Sequence, residues 1–216
     1  QCLVGSEMCI RDRFMFTKPV TFFCGENGSG KSTLLEALAI KNGLNPEGGT
    51  RNYNFSTYDS YSNLHKHMRL WRSRKPDWMY FLRAESFYNV ATKEMEYSGV
   101  FSERYHDQSH GQSFFSVLMK QTNKNGLYLL DEPEAALSCQ NQLALLYLIQ
   151  SCVKQNCQFI IATHSPILLG FPNAQILSFD EDKVEEVDYK STSSYQTMKL
   201  FLDRYDYFVE DIKAVS

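Results

Sequence analysis

One glycine-rich stretch, residues 25–32, constrains this chain more than any other feature: it reads Gly-Glu-Asn-Gly-Ser-Gly-Lys-Ser. This fits the phosphate-binding loop, in which a glycine, four residues and a second glycine precede Lys and Ser or Thr. An apolar run, Val20–Cys24, comes before it, and a helical pattern from Leu34 to Leu38 follows. In a strand–loop–helix unit of this kind, backbone N–H groups and the positive helix end point at one anion. The sequence therefore predicts a nucleotide site, whereas the alternative is an ordinary glycine turn.

The residues of this loop have separate expected roles. Lys31 would reach the β- and γ-phosphates of ATP, and the Ser32 hydroxyl would ligate Mg²⁺. The other cofactor-binding candidates are the remaining residues of the loop and the start of its helix: Gly25, Glu26, Asn27, Gly28, Ser29, Gly30 and Thr33.

Composition narrows the class of protein. A net charge of −3 and a pI near 6.0 give no overall attraction to nucleic acid, so any such contact needs a local basic patch. The six cysteines form no Cys-x-x-Cys pair and are typical of reduced thiols in a cytoplasmic protein. The longest apolar run, Leu143 to Ile149, is far shorter than the roughly 18 residues of a membrane span. We therefore expect a cytoplasmic protein with no membrane segment.

The first thirteen residues look unlike the rest. Residues 1–13 lack a starting Met and clear periodicity, and they end in Met-Cys-Ile-Arg-Asp-Arg, which resembles translated sequencing adapter. We expect 1–13 to be non-native and 14–216 to form one nucleotide-binding domain.

The order of predicted elements favours an α/β fold. Before residue 125 we expect one or two short antiparallel strands within 51–73, a strand at Trp78–Arg83, and helices at 84–96 and 112–120. After it we expect strands at 127–130, 159–162, 175–179 and 184–189, and one amphipathic helix at 195–209. Apolar strands alternating with helices indicate a mainly parallel sheet with ligand at the carboxyl ends of its strands.

Ser138 is expected to cap a further helix of this half. Its predicted apolar stripe is Leu143, Leu146, Tyr147, Ile149 and Val153.

An acidic pair follows the strand at 127–130. Four apolar residues and then Asp131 and Glu132 match the Walker B pattern. We expect Asp131 to reach the Mg²⁺ coordination sphere and Glu132 to polarise the attacking water. His164, at the end of the next strand, would lie beside the γ-phosphate, although a lone His at a strand end is often structural.

A third segment, Ser109-His110-Gly111-Gln112, resembles the Ser-Gly-Gly-Gln signature of ATP-binding-cassette ATPases, with His110 in place of Gly. Together these motifs resemble the ABC-type branch of soluble AAA family ATPases, related to the heads of DNA-repair and chromosome-maintenance proteins. The resemblance implies Mg²⁺-dependent ATP hydrolysis in a head-to-tail, ATP-dependent homodimer. It also implies that Ser109, Gly111 and Gln112 bind the γ-phosphate of the partner.

Three departures from the family pattern matter. We expect the truncated start to remove a strand or two of the family's small antiparallel lobe, which flanks adenine. Glu85 stands near the position where many ABC proteins have a Gln that ligates Mg²⁺, so we expect a carboxylate ligand there. Only 76 residues, from Thr33 to Gln108, separate the loop from the signature, which is too few for a long coiled-coil arm.

Two other functions remain open. The chain could be the energy subunit of a transporter, or a module in which ATP gates nucleic-acid binding. The second rests on a basic and aromatic cluster: His65, Lys66, His67, Arg69, Trp71, Arg72, Arg74 and Lys75.

Overall fold

The structure is a computed structural model that describes residues 2–6, 13–50, 62–84, 118–180 and 183–215. The predicted helix at 84–96, most of that at 112–120, and the predicted strand positions within 51–61 lie outside these residues. In the described part of the chain, no helix combines the length and apolar character that crossing a membrane requires.

The main sheet has six strands in the order β5-β6-β7-β3-β8-β9. Neighbours pair in parallel, except for the short strand β9, which runs antiparallel to β8. The strand bounds are β3 Val20–Cys24, β5 Trp78–Arg83, β6 Gly126–Asp131, β7 Gln158–Ala162, β8 Gln175–Ser178 and β9 Glu185–Glu186. The predicted mainly parallel sheet is confirmed, although the strand expected at 184–189 is only two residues long.

A smaller antiparallel sheet contains three strands in the order β2-β1-β4. They are β1 Cys2–Ser6, β2 Arg13–Phe16 and β4 Met68–Arg72. This is the small antiparallel lobe that the family resemblance implies. Since β1 falls within 1–13, that segment has a place in the sheet, and its non-native origin stays a prediction.

Helices cover both faces of the main sheet. Their bounds are α1 Lys31–Lys41, α2 Leu64–His67, α3 Cys139–Val153, α4 Pro166–Leu169, α5 Ser193–Asp203 and α6 Tyr205–Val215. Short 3₁₀ turns occupy Pro133–Ala136 and Tyr189–Ser191. Because successive strand residues point to opposite faces, β6 contributes Leu130 to the core under α3 and Leu129 to the core under α1.

The predicted stripe of α3 is wrong in two of its members. Leu143 is 50% exposed and Tyr147 is 77% exposed, whereas Gln142 and Cys152 are buried. Gln142 is buried because its amide donates to the carbonyl of Leu137 and accepts from the Ser165 hydroxyl. The cap itself is confirmed, since the Ser138 hydroxyl accepts a hydrogen bond from the backbone N–H of Asn141.

The single helix expected at 195–209 is also wrong. The chain forms two helices, α5 and α6, and leaves helical geometry at Arg204, whose φ and ψ are −127° and 31°. No proline or glycine marks this break in the sequence, so the continuous apolar periodicity concealed it.

Candidate nucleotide site

Parallel pairing brings the ends of β3, β6 and β7 to one edge of the main sheet. The glycine-rich loop follows β3, the acidic pair ends β6, and His164 follows β7. The backbone ties these ends together, because the N–H of Glu132 donates to the carbonyl of Ala162 and that of Thr163 to Phe23.

The loop needs glycine at its first position for two reasons. Gly25 has φ +138°, and a Cβ there would lie 3.1 Å from Oδ1 of Asp180. The same Asp180 oxygen accepts the N–H of Glu26 at 2.8 Å and so fixes the start of the loop. Gly30 precedes α1 with φ +96°, and no described atom lies within 4 Å of a Cβ built there.

Lys31 is folded into this loop. Its Nζ donates to the carbonyls of Gly25 at 2.8 Å and Glu26 at 2.6 Å, and to the Ser29 hydroxyl at 3.2 Å. The residue is only 3% exposed, and burial lowers its pKa, although the carboxylates of Glu132, Asp180 and Asp131 oppose the shift. The ammonium is therefore held among oxygen acceptors at the loop's centre.

Ser32 and Asp131 meet directly. The Ser32 hydroxyl donates to Oδ1 of Asp131 at 2.8 Å, although 99 positions separate the two residues. The other carboxylate oxygen of Asp131 lies 3.4 Å from Nε of Arg83, the last residue of β5. Two oxygen groups of the kind that Mg²⁺ prefers thus stand side by side.

Glu132 stands next to this pair in a rare backbone conformation. Its φ and ψ are 48° and 51°, in the left-handed region that non-glycine residues seldom occupy. The carboxylate is 41% exposed and lies 3.7 Å from Nε2 of His164, too far for a hydrogen bond. Nε2 of His164 is buried and has no hydrogen-bond partner among the described residues.

The 3₁₀ turn after β6 holds the backbone of His164. Oε1 of Glu134 accepts the N–H of His164 at 2.6 Å. The next residue, Ser165, caps α4 and hydrogen-bonds Gln142 of α3 at 2.6 Å. The strand end that carries His164 is therefore fixed from two sides.

The structure brings together Lys31, Ser32, Asp131, Glu132 and His164, whose roles stay predictions. Of the remaining loop candidates, Glu26, Asn27, Gly28 and Thr33 are exposed, while Ser29 and Gly30 are half-buried. The candidates Glu85, Ser109, Gly111 and Gln112 lie outside the described residues.

Three residues of this edge had no predicted role: Arg83, Glu134 and Asp180. The sequence could have placed Arg83 at the site. A charged residue that ends the strand beside Walker B lies at the carboxyl edge of a parallel sheet, where ligands bind. The contacts of Glu134 and Asp180 depend on loop geometry that motif spacing does not specify.

ATP and Mg²⁺ fit these residues. The loop offers a buried ammonium and open space at Gly28 and Gly30 for phosphate oxygens. No group of three or more His, Cys, Asp or Glu among the described residues could cage a metal. Mg²⁺ typically needs no such cage, since it binds one or two protein oxygens together with substrate phosphates and water.

Two family models match the chain. The model of an AAA ATPase domain matches residues 109–169, which span the signature-like segment, the acidic pair and His164. The model of an AAA domain matches residues 8–69, which include the glycine-rich loop. Both motif-bearing parts of the chain therefore resemble AAA-type ATPases.

Curated relatives decide the family. An uncharacterized ABC transporter ATP-binding protein from Haemophilus influenzae is 27% identical over 183 residues, covering 73% of this chain and 68% of the relative. The cytochrome c biogenesis ATP-binding export protein CcmA from Rhizobium etli is 30% identical over 171 residues, covering 71% and 78%. This chain belongs to the ABC-type ATPases. The predicted family and the predicted ATP hydrolase activity are confirmed.

The fold of the ATPase agrees. An inward-facing structure of an ABC transporter of the metal-chelate type matches with a TM-score of 0.50 at 19% identity, covering 86% of this chain and 79% of that one. The predicted fold class, an α/β P-loop NTPase of ABC type, is confirmed.

Proposed function

We propose that this ATPase hydrolyses ATP with Mg²⁺ and forms a head-to-tail homodimer when ATP is bound. The observation that carries the proposal is the 2.8 Å contact between Ser32 of the phosphate loop and Asp131 of Walker B, with Glu132 beside it. A metal-ligand pair and a base then stand at the mouth of one phosphate loop.

Lys31 and the loop N–H groups bind the phosphates. The Nζ of Lys31 exchanges its contacts with the carbonyls of Gly25 and Glu26 for phosphate oxygens, which are stronger, charged acceptors. Ser32 and Asp131 would hold Mg²⁺, with Glu85 as a further candidate ligand. Once bound, the metal neutralises charge on the transferring phosphate.

Glu132 orients the attacking water and accepts its proton. Its partial exposure gives water access to the carboxylate, while the neighbouring Asp131 would hold the metal. Nε2 of His164 lies 3.7 Å from the Glu132 carboxylate and has no hydrogen-bond partner among the described residues. It would donate to an oxygen of the γ-phosphate.

The dimer would complete the site. Ser109, Gly111 and Gln112 of the partner copy are proposed to contact the γ-phosphate, and residues 136–138 would cross the interface. The support is the signature-like sequence and the exposed loop residues Glu26, Asn27 and Gly28, which leave the mouth of the loop accessible to another chain.

The test is Glu132→Gln in the full chain. The variant should bind ATP, lose hydrolysis by about 10²–10⁴-fold because the base is gone, and accumulate as a dimer in size-exclusion chromatography with ATP and Mg²⁺. Glu185→Gln, on the exposed strand β9, is the matched control and should hydrolyse normally. A variant that stays monomeric at saturating ATP would remove the dimer from the proposal, and full activity would remove the base.

A second candidate is the ATP-binding subunit of a transporter. It is favoured by the two relatives, whose names describe transporter and export ATP-binding proteins. Affinity purification from detergent-extracted native membranes should then recover an integral membrane protein in fixed stoichiometry. Recovery of the ATPase without such a partner would exclude this role.

Nucleic-acid contact stays a narrower alternative. On β4, Arg69 and Trp71 are exposed and share one face of the small sheet, whereas Arg72 alternates to the other. Arg69→Glu should therefore weaken salt-dependent DNA or RNA binding more than Arg72→Glu. Absence of binding by the wild type at low salt would remove this candidate.

We also propose a cytoplasmic location. The support is that Cys24, Cys139, Cys152 and Cys157 are free thiols in the described part of the chain.

A further inference from the structure

Arg83 connects two carboxylates at the edge of the nucleotide site. β5 and β6 pair in register at their ends, so that Arg83 lies beside Asp131. The guanidinium places Nε 3.4 Å from Oδ2 of Asp131 and Nη1 2.7 Å from Oε2 of Glu36, on α1. Nη1 also lies 3.4 Å from the carbonyl of Pro46.

The side chains in this chain of contacts are largely buried. Side-chain exposure is 23% for Arg83, 14% for Glu36 and 7% for Asp131, so solvent screens their charges only partly. Oδ1 of Asp131 holds the Ser32 hydroxyl while Oδ2 faces Arg83. Both oxygens of the proposed metal ligand are therefore oriented by protein groups.

We infer that Arg83 is a positioning residue that serves as a built-in cation for Asp131 and competes with Mg²⁺ for it. This inference rests on the proposed function, because it assigns Asp131 to the metal. Without metal, Arg83 compensates the buried carboxylate and keeps it against Ser32. A divalent cation at Asp131 meets the positive guanidinium nearby, which raises the Mg²⁺ concentration needed to fill the site.

Glu36 makes this competition reversible. Oε2 of Glu36 lies 2.7 Å from Nη1 of Arg83, whereas Oδ2 of Asp131 lies 3.4 Å from Nε of Arg83. The guanidinium can therefore stay paired with Glu36 while its contact with Asp131 lengthens. Glu36 draws Arg83 away from the metal ligand, and its removal should leave Arg83 more tightly associated with Asp131.

The experiment measures the Mg²⁺ midpoint for binding of a fluorescent ATP analogue, with EDTA-treated full-length protein and increasing Mg²⁺. Arg83→Gln should lower this midpoint by about tenfold, the scale on which a neighbouring arginine changes the affinity of a carboxylate for a cation such as the proton. Glu36→Gln should raise it, because Arg83 then favours Asp131. Arg204→Gln, which removes an exposed arginine between α5 and α6, is the matched control and should leave the midpoint unchanged.

The double variant Arg83→Gln/Glu36→Gln isolates the coupling. If Glu36 acts through Arg83, its effect on the midpoint should largely vanish once Arg83 is absent. Thermal unfolding in EDTA identifies variants that fail to fold, and Arg83→Lys, which keeps the charge, should then show a midpoint nearer the wild type.

Opposite shifts by the two single variants would support the inference. A raised midpoint for Arg83→Gln would show that Arg83 only supports the site, and unchanged midpoints would show that it does not act on the metal; either result overturns the inference. Wild-type protein that binds the analogue equally with and without Mg²⁺ would instead contradict the proposed function itself, and the inference with it.

Discussion

Two regions depart in opposite ways from the usual pattern of buried apolar and exposed charged side chains. One is the edge of the main sheet that carries the candidate nucleotide site, and the other is the C-terminal helix pair, α5 and α6. At the edge, Lys31 and Asp131 are charged and buried, at 3% and 6% exposure. On α5 and α6, Leu202 and Ile212 are apolar and each 65% exposed. The two regions face each other across a cleft of about 640 Å³ that Gly25 and His164 line on one side and α5 on the other.

The two regions differ in how far contacts with other groups offset the cost of these unusual positions. Each buried charge at the edge has hydrogen bonds or an ion pair that offset its desolvation, and those partners come from several elements. Neither α5 nor the described side chains of α6 include a buried residue. Buried, partnered charge thus indicates a site with defined chemistry, whereas the apolar side chains of α5 and α6 stay largely exposed.

The largest expected contrast is in stability. Leu130→Ala, at a fully buried core position on β6, should lower the free energy of unfolding by about 2–5 kcal/mol. Leu202→Ala on α5 should change it by less than about 0.5 kcal/mol. Urea denaturation of both variants measures this; equal losses would mean that α5 is packed in solution and would end the comparison.

Two lysines, one from each region, test whether the contrast also holds for nucleotide binding. Lys31→Ala should weaken ATP-analogue binding by roughly 10–100-fold, since hydrogen bonds to charged groups contribute about 1.5–3 kcal/mol. Lys199→Ala on α5 removes an equal charge from an exposed ion pair and should leave binding unchanged. Equilibrium fluorescence titration of both variants is the measurement, and similar losses would contradict a specific role for Lys31.

A pH dependence of stability should arise at the edge of the main sheet, where Cys24 is buried. Burial, with the nearby Asp180 carboxylate, raises the pKa of Cys24 to about 11. Because the unfolded thiol ionises near pH 9, the stability contributed by Cys24 is complete below that pH and is lost toward pH 11, on the order of 1 kcal/mol. Urea unfolding at pH 8 and pH 10.5 measures how much stability is lost between the two. Cys24→Ala should lose less than the wild type, and an equal loss would assign the pH effect to another group.

The smallest effect concerns the exposed ion pair of α5. Asp203→Asn, which breaks the exposed pair between Lys199 and Asp203, should lower the melting temperature only slightly, and less still in high salt. Thermal unfolding at two salt concentrations measures it. A drop in melting temperature comparable to that of Leu130→Ala would place this pair in an environment drier than its exposure indicates.

The sequence predicted the parts of the molecule that are determined by local residue patterns and by the order of elements along the chain. The strand at Trp78–Arg83 has the predicted bounds, and parallel pairing follows from strands separated by helices. The loop and the acidic pair were recognised by spacing, because phosphate and metal chemistry restricts which residues can serve.

The rest depends on contacts that no local pattern encodes. Gln142 is buried because Leu137 and Ser165 satisfy its amide, and periodicity gives a polar residue no such place. Helix α3 is apolar on several sides, so Leu143 and Tyr147 were indistinguishable from core residues. Arg83 required knowledge of both Glu36 and Asp131, which are 95 positions apart in sequence.

The left-handed backbone of Glu132 has a consequence for directed evolution. A residue with a Cβ at φ 48° is held there against its own preference by the surrounding turn, at roughly 1–3 kcal/mol. Glycine would relieve that strain but would lack the carboxylate. A library screened for heat resistance alone should therefore enrich glycine at this codon, and if Glu132 is the proposed base, those clones would no longer turn over nucleotide.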